Sequence, residues 1–387
     1  VITVPANFGH RQRSATKKAA EEAGIRVEHM IDEPTAAALY YAYKEKNIGG
    51  IYAVYDLGGG TFDISIIEIS GQKVSVLASQ GSDMLGGIDF DVALQQLVFE
   101  KYKEEKGETL QNHDWDLADV AKLKHSLSKR ESASVRINRV TIPVTRAEFE
   151  EAISLFIEEI EMNCETALLE AKLKSSEIAG LFLAGGSTRI PIVADTASRA
   201  FGGVKPISSA NVDEVVALGA ALYAAYKGDP SQLNPLQQAS INEIEFNEIT
   251  HKFFGTLVVN TDAKSAADAI VNNNLLSRGQ KRPCSVTKTF YTMHDGQTVV
   301  ECSVTESGVP MTSPDFVETI WEGKLDLPPN RPANQEVEVT YSFDGSQMMH
   351  CVFKDVATGR TKEVDLDTND EQTQAGEPSP LNKFEVE

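Results

Sequence analysis

The chain has 387 residues, of which 41% are apolar, so it is long enough for about two or three globular domains with buried cores. Its net charge of −21 disfavours nucleic acid and anionic membranes as partners, because proteins that bind either usually present a basic face. The sequence has no apolar run of about 18 residues, no signal peptide, and four cysteines without zinc-site spacing, which favours a reducing, cytoplasmic location.

The first part of the chain alternates strand and helix patterns. We predict a strand over 2–4, a helix over 10–23 that ends before Gly24, and two β-rich runs over 51–57 and 62–69. Because the strand at 2–4 is apolar and no strand precedes it, we expect the chain to be a fragment that begins inside a domain.

Two helix starts and one further strand follow. Thr145 and Glu148 form a capping-box pattern that opens a long helix, and Asn211 and Glu214 form a second such pattern. A short buried strand over 181–184 lies between them. Strands that alternate with helices are typical of an α/β domain.

The composition changes after residue 228. We therefore divide the chain into an α/β domain over 1–228, a polar, proline-broken linker over 229–252, a β-rich domain over 253–367 and an acidic, disordered tail over 368–387.

Asp-Gly pairs mark turns in the β-rich domain. The pairs at 295–296 and 344–345 each lie between strand-like runs and predict hairpins. Alternate residues from Val337 to Phe343 are apolar and predict one buried face. These patterns predict a separate antiparallel domain.

The most informative stretch is YDLGGGTFDIS, residues 55–65, in which three glycines stand between two aspartates. It fits neither a P-loop, which needs a lysine after its glycines, nor a dinucleotide-binding turn, which opens a helix. If residues 58–61 form a turn, Asp56 lies opposite Asp63 across a hairpin, and two facing carboxylates repel unless a cation lies between them. The pattern therefore predicts Mg²⁺ near both aspartates, directly or through water, and a phosphate at the bare main chain. The alternative is a tight turn with two solvated aspartates.

A second bare strand end lies in LFLAGGSTRIP, residues 181–191, where a helix is predicted to start near Pro191. Glycines at the end of a strand leave the main chain open to a ligand, so this pattern favours ligand binding. Arg189 is then a candidate contact for a base or a phosphate, and the alternative is an ordinary surface arginine.

Several motifs together resemble one family. They are YDLGGGTFDIS, MIDEPTAAALYY, MLGGIDFD, LFLAGGSTRIPIV and NVDEVVALGAALYAA. At this spacing they are similar to the ATPase domain of the heat-shock-70 (DnaK-like) chaperones, which has the actin-like, ribonuclease H-like α/β fold. Downstream, FYTMHDGQTVVECSVTESG and VFKDVATGR resemble the antiparallel β-sandwich peptide-binding domain of that family.

The resemblance implies that ATP and Mg²⁺ bind in a cleft between two lobes. Asp56 and Asp63 match the aspartates that act on the magnesium waters and in catalysis, and Thr61 matches a threonine near the γ-phosphate. Glu33 matches a carboxylate near the attacking water, although a helix-capping acid is the alternative. Gly58, Gly59 and Gly60 match the glycines whose main chain clamps the phosphates in the family. The residues that match the family's adenosine-binding positions are Gly86, Gly87, Lys124, Ser128, Gly185, Gly186, Ser187, Arg189 and Asp213.

The chain departs from the family pattern in places. Ile88 stands where many members have glutamate, and His125 stands where some have arginine. The segment around residues 241–255 is more polar and acidic than the aliphatic linker of the family, which weakens the expectation that it docks onto the ATPase domain. Pro5 and Arg13 match positions that relay the nucleotide state to that linker.

The resemblance also implies a peptide site and partners. Phe290, Val300, Cys302 and, more loosely, Val259 match positions that line the peptide pocket, and ordinary core packing is the alternative. The implied partners are unfolded or extended client polypeptides, a J-domain co-chaperone and a nucleotide-exchange factor.

Three functions compete at this point. The leading hypothesis is an ATP-driven protein-folding chaperone of the stress response, whose peptide site opens on ATP binding and closes on hydrolysis. Because the family's opening segment, with a further phosphate loop and a lysine, is absent, we expect impaired hydrolysis by this fragment alone. The alternatives are a non-hydrolysing co-chaperone or nucleotide-exchange relative, and a sugar kinase or actin relative on the same fold. The intact acidic residues and Thr61 count against the first alternative, and the β-rich domain counts against the second.

Overall fold

The fold is known from a computed structural model of the chain. It describes residues 1–45, 48–71, 73–207, 211–229, 231, 233–234, 238, 245–261, 269–343 and 349–366. The tail predicted over 368–387 lies outside the described residues.

The chain forms two compact units. The first comprises Val1–Phe8 and Val27–Ile249, and the second comprises Gly9–Arg26 and Thr250–Glu387. This division differs from the predicted one, because Gly9–Arg26 groups with the second unit. The residues of the predicted linker that precede Thr250 group with the first unit.

The secondary structure alternates in the first unit and is mainly β in the second. The helices are α1 (His10–Glu22), α2 (Glu33–Lys44), α3 (Gly87–Lys106), α4 (Leu117–Leu127), α5 (Arg146–Ala152), α6 (Ser154–Ala171), α7 (Pro191–Ala200) and α8 (Val215–Lys227). The strands are β1 (Ile2–Val4), β2 (Met30–Asp32), β3 (Gly49–Leu57), β4 (Phe62–Ser70), β5 (Lys73–Ser82), β6 (Ser132–Ile137), β7 (Val140–Thr145), β8 (Ile178–Ala184), β9 (Pro206–Ile207), β10 (Glu245–Asn247), β11 (Phe253–Val259), β12 (Ile270–Leu276), β13 (Cys284–Tyr291), β14 (Val299–Ser307), β15 (Glu318–Asp326), β16 (Glu336–Phe343), β17 (Met349–Asp355) and β18 (Thr361–Leu366).

A mixed six-stranded sheet organises the first unit, in the order β10-β5-β4-β3-β8-β9. Alternate side chains of β3 enter different cores, as the two-residue period of a strand requires. Tyr52 and Val54 pack with α2 and α8, whereas Ala53 and Tyr55 pack in the core that includes α3, α4, α6 and α7. Helices therefore cover both faces of the sheet. This is the predicted α/β class, and it is consistent with an actin-like ATPase fold.

The predicted hairpin is present. Strands β3 and β4 pair in antiparallel register, with Leu57 opposite Phe62 and Asp56 opposite Asp63. The main-chain N–H of Gly58 donates to the carbonyl of Thr61 at 3.0 Å and closes the turn. The sequence pattern thus predicted both the turn and its register.

The polar linker segment also forms a strand. Strand β10 pairs with β5 in parallel, and the side-chain amide of Asn247 donates to Ser75 Oγ at 3.1 Å. The expectation that a polar segment docks poorly on the α/β domain was wrong here, because strand pairing uses main-chain hydrogen bonds and tolerates polar side chains.

The second unit contains two four-stranded antiparallel sheets, β12-β11-β14-β15 and β13-β16-β17-β18. They share one apolar core, to which Val304 and Trp321 contribute from the first sheet and Tyr341 and Phe353 from the second. The alternating apolar face predicted for β16 is buried, as expected.

One of the two predicted hairpins is present. Strands β16 and β17 are antiparallel neighbours, and residues 344–345, where the turn was predicted, lie outside the described residues. The hairpin predicted at 295–296 was wrong, because β13 pairs with β16 and β14 pairs with β11 and β15. Gly296 and Asp295 instead bond to the segment before β16, through Gly296 N–H to the carbonyl of Arg331 at 2.7 Å and Asp295 Oδ1 to the N–H of Ala333 at 2.8 Å.

Helix α1 is held to the strands of the second unit at its N-terminus. The main-chain N–H of His10 donates to Glu306 Oε2 at 3.0 Å, and Arg11 forms an ion pair with Glu318 at 2.7 Å. A carboxylate at a helix N-terminus satisfies free N–H groups and interacts favourably with the helix dipole. These contacts explain why this helix groups with the β-rich unit.

Two helix predictions need correction. The long helix predicted from the Thr145 capping box is divided at Ile153 into α5 and α6, although the capping box itself is present. Asn211 and Glu214 do not form a capping box, because Glu214 is itself the N-cap residue of α8 and Asn211 Oδ1 accepts from the N–H of Asp213 at 3.2 Å. No helix among the described residues is long and apolar enough to cross a membrane.

The crossing of α2 and α8 depends on a glycine. A Cβ added to Gly219 would lie 1.7 Å from the carbonyl oxygen of Ala36. We expect Gly219→Ala to lower the free energy of unfolding by about 1–3 kcal/mol, as overpacking does, despite the better helix propensity of alanine. Urea unfolding measures the change. The control is Gly49→Ala, whose new Cβ would lie 3.8 Å from its nearest neighbour. An unchanged or higher midpoint for Gly219→Ala would contradict the close crossing.

Candidate functional site

Four acidic residues meet at one end of the central sheet. Asp56 and Asp63 are direct cross-strand partners and are 7% and 2% exposed. Asp32 is the N-cap residue of α2 and Glu33 is its first residue, so the start of that helix contributes the other two carboxyls. The carboxyls act electrostatically on one another.

Burial raises the pKa values of these groups. It raises the pKa of Asp56 to about 6. Burial first, and then the charges of Asp56 and Asp32, raise the pKa of Glu33 to about 7. Burial and the charges of Asp56 and Glu33 hold the pKa of Asp63 well above its ordinary value, although the N–H of Asn7 donates to its Oδ1 at 3.2 Å. Neighbouring carboxyls thus supply the charges that raise the pKa values of Glu33 and Asp63.

The carboxylates fit a hydrated divalent cation. Asp56 and Asp63 offer hard oxygen ligands of the kind that Mg²⁺ prefers. Among the described residues, no group of three or more His, Cys, Asp and Glu side chains is arranged to hold a metal ion. A magnesium ion here would therefore use the two aspartates, directly or through water, and take its other ligands from water or a phosphate.

The glycine turn fits a phosphate. A Cβ added to Gly59 or Gly60 would meet no atom within 4 Å, and neither residue has a left-handed φ. The fold therefore does not require glycine at these two positions. Their bare main chain is open to a ligand, and Thr61 places a half-buried residue with a hydroxyl at the same tip.

The turn is supported from two sides by predicted site residues. The N–H groups of Gly87 and Ile88, at the start of α3, donate to the carbonyls of Gly58 and Gly59 at 3.0 and 2.8 Å. Ser187 Oγ donates to the carbonyl of Gly58 at 2.8 Å. These bonds occupy the carbonyls of the turn and leave its other side for a ligand.

Close approach explains the glycines that flank the turn. A Cβ on Gly86 would lie 2.5 Å from the main chain of Gly59. A Cβ on Gly185, which has a φ of 79°, would lie 2.3 Å from the carbonyl of Leu57 and 2.7 Å from Asp56 Oδ1. Gly186 continues the same strand end. At Gly86 and Gly185, glycine is therefore needed for packing.

Lys124 is a buried part of this support. Its Nζ donates to the carbonyl of Gly87 at 2.6 Å and to Asp91 Oδ2 at 2.9 Å. Ser128, at the end of α4, donates its hydroxyl to the carbonyl of Lys124 at 2.9 Å. Both predicted contacts are thus engaged in bonds within the protein.

Arg189 and Asp213 form an ion pair at 2.6 Å and are both exposed. Arg189 also donates to Asn211 Oδ1 at 3.1 Å, so three polar side chains meet beside the strand end at Gly185. An arginine plane held by two oxygens can stack on a base. The surface-arginine alternative stays open.

The predicted relay residues lie in different units. Pro5 is buried in the first unit, where its carbonyl accepts from the N–H of Phe8 at 3.2 Å. Arg13 lies on α1 in the second unit, where its charge acts on Glu306. Their role stays a prediction.

The four predicted peptide-site residues line one cavity in the second unit. It has a volume of ≈ 910 Å³, and Phe290, Val300, Cys302 and Val259 all contribute to its wall. The cavity is walled by residues of both sheets, with Val337 and Phe353 among them. Its size is in the range of sites that hold small molecules or side chains.

Sequence reasoning missed several participants. Asp91, the partner of Lys124, lies one helical turn after Gly87, and this spacing was a usable signal. Asp32 and Asn211 are recognisable only once their helix starts are placed. Asn7 carried no signal, because its contact to Asp63 joins residues 56 positions apart.

Comparison with known proteins identifies a matching family. The family model described as Hsp70 protein matches residues 1–383 of the chain. The match extends over both compact units.

Phosphate binding at the open turn can be separated from folding. We expect Gly59→Ala to leave the thermal midpoint nearly unchanged, because its new Cβ meets no atom within 4 Å. The same methyl group should weaken the binding of ATP by about tenfold, since it occupies the space above the bare main chain. Calorimetry of the variant with ATP and Mg²⁺ measures this. The matched control is Gly308→Ala, another open glycine. Unchanged affinity in Gly59→Ala would rule out a phosphate at this turn.

The acidic cluster should make stability depend on pH. A carboxyl whose pKa is higher in the folded chain stabilises the fold at low pH and loses this contribution as pH rises through the folded value. For Asp56 the loss extends from about pH 4 to about pH 7. We therefore expect Asp56→Asn to raise the stability of the ligand-free protein at pH 8 by about 1–3 kcal/mol, with no gain at pH 4.

Thermal unfolding in chelator at both pH values checks this expectation. Asp195→Asn, at an exposed position of α7, is the control and should change little at either pH. A variant at Asp56 that is less stable than the parent protein at pH 8 would show that the carboxylate is not electrostatically strained.

Proposed function

The chain belongs to the Hsp70 protein family, and from that premise we propose that it is an ATP-dependent protein-folding chaperone that couples ATP binding and hydrolysis to the binding and release of extended apolar peptides. Members of the family are chaperones and generally ATPases that bind ATP or ADP with Mg²⁺. The observation that supports the proposal most is the open turn at Gly59 and Gly60 beside two buried, facing aspartates.

The proposed chemistry divides among the site residues. The main-chain N–H groups of the turn and the hydroxyl of Thr61 hold phosphate oxygens. Asp56 and Asp63 would hold a magnesium ion, directly or through water, and the ion would neutralise charge on the phosphates. Little covalent chemistry is left to the protein, because phosphoryl transfer is catalysed mainly by positioning and charge stabilisation.

Glu33 is the proposed general base. Its pKa of about 7 is close to the operating pH, which suits a group that accepts a proton from water. Burial and repulsion by the charges of Asp56 and Asp32 together set this pKa. A solvated helix-capping acid would have an ordinary pKa.

The proposed peptide site is the cavity of the second unit. An extended chain would place an apolar side chain against Phe290, Val300 and Cys302 and form strand-like main-chain bonds. The proposed partners are unfolded clients, a J-domain co-chaperone and a nucleotide-exchange factor, and the proposed location is the cytoplasm.

A non-hydrolysing co-chaperone or nucleotide-exchange relative is the second candidate. The polar and acidic composition of residues 241–255 favours it, because the family couples its two domains through an aliphatic linker. This candidate would bind nucleotide and peptide without turnover.

The deciding experiment compares binding with turnover. We expect the protein to bind ATP with Mg²⁺ and to release a fluorescent apolar peptide when ATP is added. Glu33→Gln should retain ATP binding but lower turnover by about 100-fold or more, since a positioned base contributes that much. Asp195→Asn serves as the control.

Two results would change the proposal. Turnover is measured on the full-length gene product, because impaired hydrolysis is expected of this chain alone. Binding of ATP and peptide without turnover there, with a J-domain protein present, would favour the co-chaperone. Turnover that Glu33→Gln does not reduce would remove Glu33 from the mechanism.

A further inference from the structure

We propose that the side chain of Asn7 donates a hydrogen bond to the terminal phosphate of the bound nucleoside triphosphate. This role rests on the proposed function. It adds to the site a residue that distinguishes the triphosphate from the diphosphate.

The first observation is an amide without a partner. Asn7 is 8% exposed, and its Nδ2 has no hydrogen-bond partner among the described residues. Buried polar groups are nearly always paired, because an unpaired donor has lost its water without replacement. An unpaired buried donor is therefore suited to a ligand that supplies the missing acceptor.

The second observation places this amide beside the carboxylates. The main-chain N–H of Asn7 donates to Asp63 Oδ1 at 3.2 Å, which fixes the residue against the aspartate. Asp63 is paired with Asp56 on one side and with Gly81 on the other. Directly paired residues of adjacent strands project from the same face of a sheet.

The glycine in this row makes room for the amide. A Cβ on Gly81 would lie 2.5 Å from Asn7 Nδ2 and 2.1 Å from the carbonyl of Phe62. The amide therefore occupies the space of a side chain at position 81, next to that of Asp63. It lies on the face of the sheet that carries both aspartates.

The chemistry of the cluster assigns the amide its acceptor. When ionised, Asp32, Glu33, Asp56 and Asp63 are acceptors only, and so are phosphate oxygens. A terminal phosphate near them needs donors as well as a cation. Since Glu33 is the proposed base for the attacking water, the oxygens closest to this end of the row belong to the terminal phosphate.

The test compares two nucleotides. We expect Asn7→Ala to weaken binding of ATP with Mg²⁺ by about tenfold, the effect of one hydrogen bond to a charged group, and to change ADP affinity by less than about twofold. Asn7→Asp, of nearly the same shape, should weaken ATP more, because it adds a further acceptor. Competition against a fluorescent ADP analogue gives both affinities.

Stability separates this role from a structural one. Removing an unpaired amide should leave the thermal midpoint of ligand-free Asn7→Ala equal to or above that of the parent protein. The matched control is Asn163→Ala, since the amide of Asn163 is paired with the carbonyl of Glu159 at 2.9 Å. It should bind both nucleotides normally.

Each other outcome overturns the proposal. Equal losses for ATP and ADP with a lower thermal midpoint would make Asn7 structural. Unchanged ATP affinity with slower turnover would assign the amide to the attacking water. If the parent protein and the control bind neither nucleotide, the proposed function fails as well, whereas a selective failure of the Asn7 variants concerns this proposal alone.

Discussion

Two carboxylates opposed across a hairpin are the constraint on which the rest of the first unit depends. The register of β3 and β4 forces Asp56 and Asp63 onto one face of the sheet, and helices on both faces remove them from water. Proximity and burial both oppose ionisation of the two aspartates, so their charged forms are destabilised in the folded chain. The turn between the two strands is short and is closed by a main-chain hydrogen bond, so the hairpin cannot separate the pair.

The glycines of the site serve two physical purposes. Gly86 and Gly185 are needed by the protein itself, because a Cβ at either position would collide with main chain. Gly59 and Gly60 satisfy no requirement of the fold, and their absent side chains leave open space. Close packing at Gly86 and Gly185 therefore fixes the position of the turn. Gly59 and Gly60 form its open surface, where a ligand would bind.

Local patterns were sufficient for some parts of the fold and not for others. The turn and register at residues 58–61 followed from the strands and glycines alone, and so did the buried face of β16. The Asp-Gly pair at 295–296 misled, because sequence neighbours may pair with distant strands, and β13 and β14 belong to different sheets. The break at Ile153 and the contact of Asn7 with Asp63 depend on tertiary packing, which no short pattern reports.

The charge of the site has a consequence for its ligands. The charges that raise the pKa values of Glu33 and Asp63 come from neighbouring carboxyls, so a polyphosphate alone would meet repulsion. A cation alone would find, among the described residues, no group of three or more His, Cys, Asp or Glu side chains arranged to hold it. If the metal ion and the polyphosphate bind together, phosphate oxygens would complete the coordination of the metal. The metal would in turn neutralise the carboxylates and the phosphates. Binding of metal and nucleotide should therefore be coupled, and the coupling originates in the hairpin register of Asp56 and Asp63.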